Sequence, residues 1–205
     1  MTVPHPVRLA AAVAIACLAA LAIDRWCYEH VVFVGVYDQD WGRLLRSVGY
    51  WPTWAIGAFA LWLHERGSIA SAGQRALFVA GSPAICGIVD EVLKLLIRRE
   101  RPEANAGAYV FRSFSDHPWS TAGIGSPSSH AAVAFGGAAA MSALFPKARL
   151  VWFGLAGGCA VTRVLARAHF ASDVVAGAAL AIVIGGWFAR RLIGRARAEQ
   201  VAAHP

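Results

Sequence analysis

The chain has 205 residues, 58% of them hydrophobic and only 15% charged, with a formal net charge of +7. Soluble domains carry about 25% charged residues, so this deficit excludes an ordinary soluble globular protein and points to one that crosses a membrane several times. The positive charge is not a nucleic-acid patch, and no nucleic-acid partner is expected: Arg190, Arg191, Arg195 and Arg197 gather just after the last apolar run, where membrane helices place their cytoplasmic flanks.

Crossing a bilayer takes about 20 mostly apolar residues. In chain order, six segments approach this: 7–23, 50–64, 76–97, 128–145, 149–166 and 172–193. The first is long for a signal-peptide core and lacks a convincing cleavage site, so it is expected to be a retained helix. The second is short. The longest connections, 24–49 and 98–127, leave no room for a soluble domain. The expected fold is all-α: a polytopic six-transmembrane-helix bundle, one integral membrane domain over 1–205, with its chemistry in 76–193. Glycine and alanine crowd the last three segments, as in "FGGAAAMSA", which lets membrane helices approach closely. Cys17, Cys27, Cys86 and Cys159 match no zinc or disulfide spacing and read as small buried apolar residues.

Six helices put both termini on one side. Arg8, Arg66, Arg75, Lys147, Arg149 and the C-terminal arginines fall there, and the positive-inside rule makes that side cytoplasmic. Connections 24–49, 98–127 and 164–171 then face out.

Three polar clusters fall at this outer face, where ionisable groups near a bilayer mark function. In "KLLIRRERP", Lys94 and Arg101 share a face if the helix runs on to Pro102, which stops it. "GIGSPSSHAAVAF", 123–135, leads into a helix with Pro127 in its first turn. Such a start offers N–H groups and a positive dipole end to a phosphate. In "TRVLARAHFASD", 162–173, Arg163 ends a helix, and His169 and Asp173 stand at i and i+4 around the start of the last one. There the carboxylate reaches the imidazole.

The inventory is three cations (Lys94, Arg101, Arg163), two hydroxyls (Ser128, Ser129) and two histidines (His130, His169). It suits a phosphoryl group. Fixed positive charge stabilises the transition-state oxygens, a neutral imidazole can attack phosphorus, and a protonated one can serve the leaving oxygen. No metal and no cofactor is required. Asp90 and Glu91 read as charge partners of Lys94 and Arg98. Arg98, Arg99 and Arg167 read as headgroup contacts or charge partners. Phe111, Phe114, His117 and Trp119 either cover the site or sit at the membrane interface.

K-x6-R-P at 94–102, P-S-S-H at 127–130 and T-R-x5-H-x3-D at 162–173 resemble, in order, the three signatures of the type 2 phosphatidic acid phosphatase superfamily. The resemblance covers 94–173. It implies a six-helix membrane fold with a metal-free extracytoplasmic site and a phosphohistidine intermediate. His169 would be the nucleophile, Asp173 its orienting partner and His130 the general acid, with Lys94, Arg101, Ser128, Ser129 and Arg163 binding phosphate. Two positions depart from the pattern: Ser129 stands where the family usually has glycine, and Thr162 where it has serine. The implied activity is removal of a terminal phosphate from a lipid phosphate or diphosphate, in the inner or plasma membrane, with the site facing the periplasm. The implied partners are the lipid substrate and the bilayer. Phosphatidic acid, phosphatidylglycerol phosphate, lipid A phosphate and undecaprenyl diphosphate stay open, the compact chain leaning to the last. A phosphotransferase with the same site, or a silent phospholipid-binding relative, are the alternatives. The intact histidines argue against the silent relative.

Overall fold

The computed structural model describes residues 6–202, with side chains described from 7 to 189 and at Arg191. The side chains of Arg190, Arg195 and Arg197, expected to flank the last span, lie outside the described residues, as do the two ends of the expected 1–205 unit. The described helices are α1 (Pro6–His30), α2 (Asp40–Ser47), α3 (Trp51–Glu65), α4 (Ala72–Ile97), α5 (Ser129–Leu144), α6 (Arg149–Leu165) and α7 (Ala171–Ala202). All six apolar runs therefore fold as helices. The short α2 and a 3-10 turn at Val36–Asp38 lie in a stretch that reads as a connection. Among the described residues there is no strand. Arg99 with Phe111, and Glu100 with Ile124, form isolated antiparallel bridges.

Among the described residues, four helices are long and apolar enough to cross a membrane: Val7–His30, Ala72–Ile97, Pro146–Leu165 and Ala171–Ala189. The expected count of six spans is not confirmed by this measure. With 15 and 16 residues, α3 and α5 extend only about 22–24 Å at 1.5 Å per residue, short of a hydrocarbon core of about 30 Å.

The shortness of α5 goes with its place at the centre, where it packs against α4, α6 and α7. Ala131, Ala132, Ala134, Gly136, Gly137, Ala138 and Ala140 are all buried on it. Small side chains bring neighbouring backbones close, the usual basis of helix association in lipid. Gly137 shows how close: a Cβ there would stand 2.1 Å from the Trp54 indole of α3. Val79, Val133 and Ala156 complete this core. Outward residues such as Leu18, Ile56, Leu77 and Leu150 remain exposed and apolar, as a lipid-facing surface requires. The four cysteines are free; Cys27, Cys86 and Cys159 are buried and Cys17 is half-buried.

Three local expectations need correction. The helix carrying Lys94 does not run on to Pro102: α4 ends at Ile97, Arg98 turns left-handed with φ 59°, and Pro102 opens a 3-10 turn. Lys94 and Arg101 thus share no helical face. Pro127 lies before α5 rather than in its first turn, after a cis Ser126–Pro127 bond. And α1 runs seven residues past 23, to His30, carrying polar Asp24, Arg25 and Glu29 in helical geometry.

Candidate active site

Four helix ends meet at one end of the bundle. The C-terminal turn of α4 supplies Lys94, and the start of α5 supplies Ser128, Ser129 and His130. The end of α6 supplies Arg163, and the start of α7 supplies Asp173, with His169 in the short connection before it. Two contacts tie these ends together. Lys94 Nζ donates to Ser129 Oγ at 2.7 Å, and the Ser128 amide donates to the Asp173 carbonyl at 3.0 Å. The three clusters of the sequence therefore form one site.

Lys94 is 5% exposed. Its ammonium also meets Glu91 Oε1 at 2.7 Å and lies 3.8 Å from Asp90 Oδ2, so the acid pair partners Lys94 as expected. Ser129, the departure from the family glycine, uses its hydroxyl to hold this lysine. Thr162 is turned away: its hydroxyl donates back to the Cys159 carbonyl at 2.7 Å. Arg163 is buried, and its Nη1 donates to the Tyr37 hydroxyl at 2.9 Å. Arg101 is more exposed. Its guanidinium stands 3.9 Å from Glu103, and its α-carbon flanks Gly125.

His169 is 3% exposed. Its Nδ1 lies 2.7 Å from the Gly125 carbonyl and 3.8 Å from Asp173 Oδ2. A carbonyl oxygen only accepts, so Nδ1 carries the proton and Nε2 is the basic nitrogen. The orienting hydrogen bond thus goes to a backbone carbonyl that the sequence reading missed, with Asp173 standing behind it. A side chain on Gly125 would crowd Asp173 Oδ2 and the Glu100 carbonyl, each at 3.2 Å. Burial pushes the His169 imidazole down to about 4; the charges of Arg163 and Lys94 add to this and Asp173 opposes it. The ring is therefore neutral at pH 7, as a nucleophile must be.

Asp173 is fully buried. Its Oδ2 accepts from the Phe170 amide at 2.8 Å, and its Oδ1 from Arg99 Nη2. Arg99, read only as a headgroup contact or charge partner, is the charge partner of this carboxylate. Arg98 pairs with neither Asp90 nor Glu91. At 1% exposure it donates to the carbonyls of Arg112, Ser113, Asp116 and Pro118 and shapes the loop above the site. Arg167 donates to the Tyr28 carbonyl at 3.1 Å. Phe111, Phe114 and Trp119 are exposed on that loop rather than buried over the histidines.

His130 sits edge-on to Tyr50, with ring centroids 5.0 Å apart, within electrostatic reach of Arg163, His169 and Lys94. Its Nε2 is buried without a protein partner, as are Ser128 Oγ, Arg163 Nε and Arg101 Nε. Buried polar atoms rarely go unpaired. Four of them on residues that the sequence assigns to one anion site are what a pocket for a phosphoryl group would present. Among the described residues no three His, Cys, Asp or Glu side chains cluster as metal ligands.

Comparison with known proteins finds relatives for part of the chain. Two curated proteins named lipid A 1-phosphatase, from Rhizobium etli and Rhizobium johnstonii, are 36% and 35% identical to the chain over 104 residues. The matched stretch is half of this chain and spans about two fifths of the curated relatives, 42% and 40% of their lengths. No solved structure matches. A model of the PAP2 superfamily matches residues 75–196, which hold all three clusters and every candidate site residue, and the chain belongs to that superfamily.

Proposed function

We propose that the protein is a membrane lipid phosphatase that transfers a terminal phosphoryl group to His169 and then to water. The observation that carries this reading is His169 itself: buried, neutral, with Nδ1–H tied to the Gly125 carbonyl, it presents Nε2 among Lys94, Arg163 and the start of α5. The phosphoryl oxygens would lie against Lys94, Arg101, Arg163 and the Ser128 and Ser129 hydroxyls and amides. Nε2 attacks phosphorus, the bond to the lipid oxygen breaks, and His130, whose pKa burial lowers to about 3, takes the proton of the bound phosphate monoanion and passes it to that oxygen. His130 then takes a proton from water, water attacks the phosphohistidine, and inorganic phosphate leaves with His169 restored. The route is expected to need no metal, and turnover should persist in excess chelator.

The relatives' name makes lipid A 1-phosphate the first substrate to test. Undecaprenyl diphosphate is the second substrate to test. The site would face the periplasm.

The test is phosphate release by the purified full chain from lipid A 1-phosphate, phosphatidic acid, phosphatidylglycerol phosphate and undecaprenyl diphosphate. Release from at least one is expected, abolished in His169→Ala. His130→Ala should lose about 10²–10⁴-fold on that lipid and far less on p-nitrophenyl phosphate, whose leaving group needs no proton. No release from any of the four, or release that survives His169→Ala, overturns the reading. Transfer to an added acceptor lipid without free phosphate would mark a transferase.

A further inference from the structure

The matched family region starts at residue 75, yet the dyad is braced from outside it. Asp24, near the end of α1, is 1% exposed. Its Oδ1 accepts from the Ser172 amide at 2.8 Å; its Oδ2 accepts from the Ser172 hydroxyl and, at 2.8 Å, from the Tyr109 hydroxyl. The Ser172 hydroxyl has one proton. With that proton spent on Asp24, its lone pairs face Arg99, whose Nη2 donates to it at 2.7 Å. The same Nη2 also donates to Asp173 Oδ1. A guanidinium nitrogen has two protons, and here both are committed, one to each neighbour in α7. The Arg99 carbonyl in turn accepts from the Gly125 amide at 2.7 Å, and the Gly125 carbonyl holds His169. The Arg99 guanidinium also lies over the Tyr109 and Phe170 rings, at 5.0 and 5.2 Å, and cannot swing aside without losing both.

We infer that Asp24 is a positioning residue for the phosphoryl-transfer site: through Ser172 it fixes the direction in which Arg99 binds Asp173, and so holds the segment that orients His169. The inference rests on His169 being the nucleophile. The chemistry is directional. An Asn at 24 has one acceptor oxygen for three donors: it turns its N–H₂ against the Ser172 amide, or toward the two hydroxyls, in which case the Ser172 hydroxyl loses its acceptor. Its proton would then turn toward Arg99, donor against donor. Phosphate binding rests mainly on Lys94, Arg163 and the start of α5, on other elements, with Arg101 alone on the segment that carries Arg99, and should be largely spared.

The experiment uses the full chain in detergent micelles with ¹⁵N-labelled histidine, the His169 signal assigned by His169→Gln. In Asp24→Asn and in Ser172→Ala, the His169 Nδ1 proton should exchange with water at least about tenfold faster than in the parent. On the best lipid from the four above, kcat should fall about tenfold with KM within twofold, since one charge-assisted hydrogen bond is worth roughly that factor. Arg25→Gln, an exposed neighbour on α1 that pairs with Glu29, should change neither. Unchanged exchange overturns the inference. So does a rise in KM without a fall in kcat, or faster exchange with kcat intact. If Asp24→Asn does not fold, Ser172→Ala decides, because it keeps the buried carboxylate and its amide contact. A parent that releases no phosphate sinks the phosphatase reading, and the exchange arm alone then decides whether Asp24 holds His169.

Discussion

At the scale of single residues, the electrostatic setting of His169 has a measurable consequence. Its pKa is lowered from the ordinary 6.5 to about 4, chiefly by burial. Protonation would destroy the nucleophile, and a lowered pKa moves that loss to lower pH. After correction for the substrate's own titration, kcat/KM should therefore hold between pH 7 and 5 and fall with a midpoint near 4. A midpoint near 6.5 would mean that the ring is not desolvated as described. The i,i+4 spacing of His169 and Asp173 was readable in the sequence because it is local. The Gly125 carbonyl was not, because it comes from a loop 44 residues earlier, and a backbone acceptor has no sequence signature. Arg99 was visible only as one of several arginines. Its role appears when the bridges to Phe111 and Ile124 carry its strand-like segment past α7.

Among the elements, α5 carries the tightest constraint. Its small residues let Trp54 lie flat against Gly137. Adding a methyl there forces a buried indole to move, and overpacking of this kind costs about 1–3 kcal/mol. Gly137→Ala should lower the Tm in detergent by roughly 2–10 °C for a chain of this size. Gly154→Ala, on α6 with nothing within 4 Å of the new methyl, should not lower it. Equal effects would show that the close contact does not limit stability. The helices themselves were legible from apolar runs, but their ends were less so. "KLLIRRERP" has good helix formers throughout, and what ends α4 at Ile97 is the left-handed turn at Arg98 and the pairing that follows, both set by distant chain. Asp24 and Glu29 hid the last turns of α1 for the opposite reason: polar residues look like a loop until Ser172 of α7 and Tyr109 of the 98–127 connection are there to meet Asp24, and Arg25 one turn back pairs with Glu29.

For the molecule as a whole, the gathering of four helix ends gives the bundle a chemical end and a plain end. At the plain end, Arg75 grips the buried Glu65 through two hydrogen bonds of 2.7 and 2.9 Å, with Arg66, Lys147 and Arg149 on the same side of the reading in which the termini are cytoplasmic. That orientation is checked with Ala122, exposed on the loop at the chemical end. In a chain cleared of Cys17, Cys27, Cys86 and Cys159, Ala122→Cys should react with an impermeant maleimide in whole cells whose outer barrier admits it. Labelling that appears only after lysis would invert the topology and put the substrate in the cytoplasmic leaflet.

The hydrogen bonds by which Arg98 grips the loop over the site all go to main-chain carbonyls between Arg112 and Pro118, while its guanidinium also lies 5.3 Å over the Phe114 ring. Those hydrogen bonds are indifferent to the side chains of the residues they hold. Phe111 and Trp119 project outward from a framework whose hydrogen bonds do not use their side chains. The loop is in effect a socket, whose outer face at those two positions can be rewritten to suit a different lipid or a different membrane while the floor beneath keeps its shape.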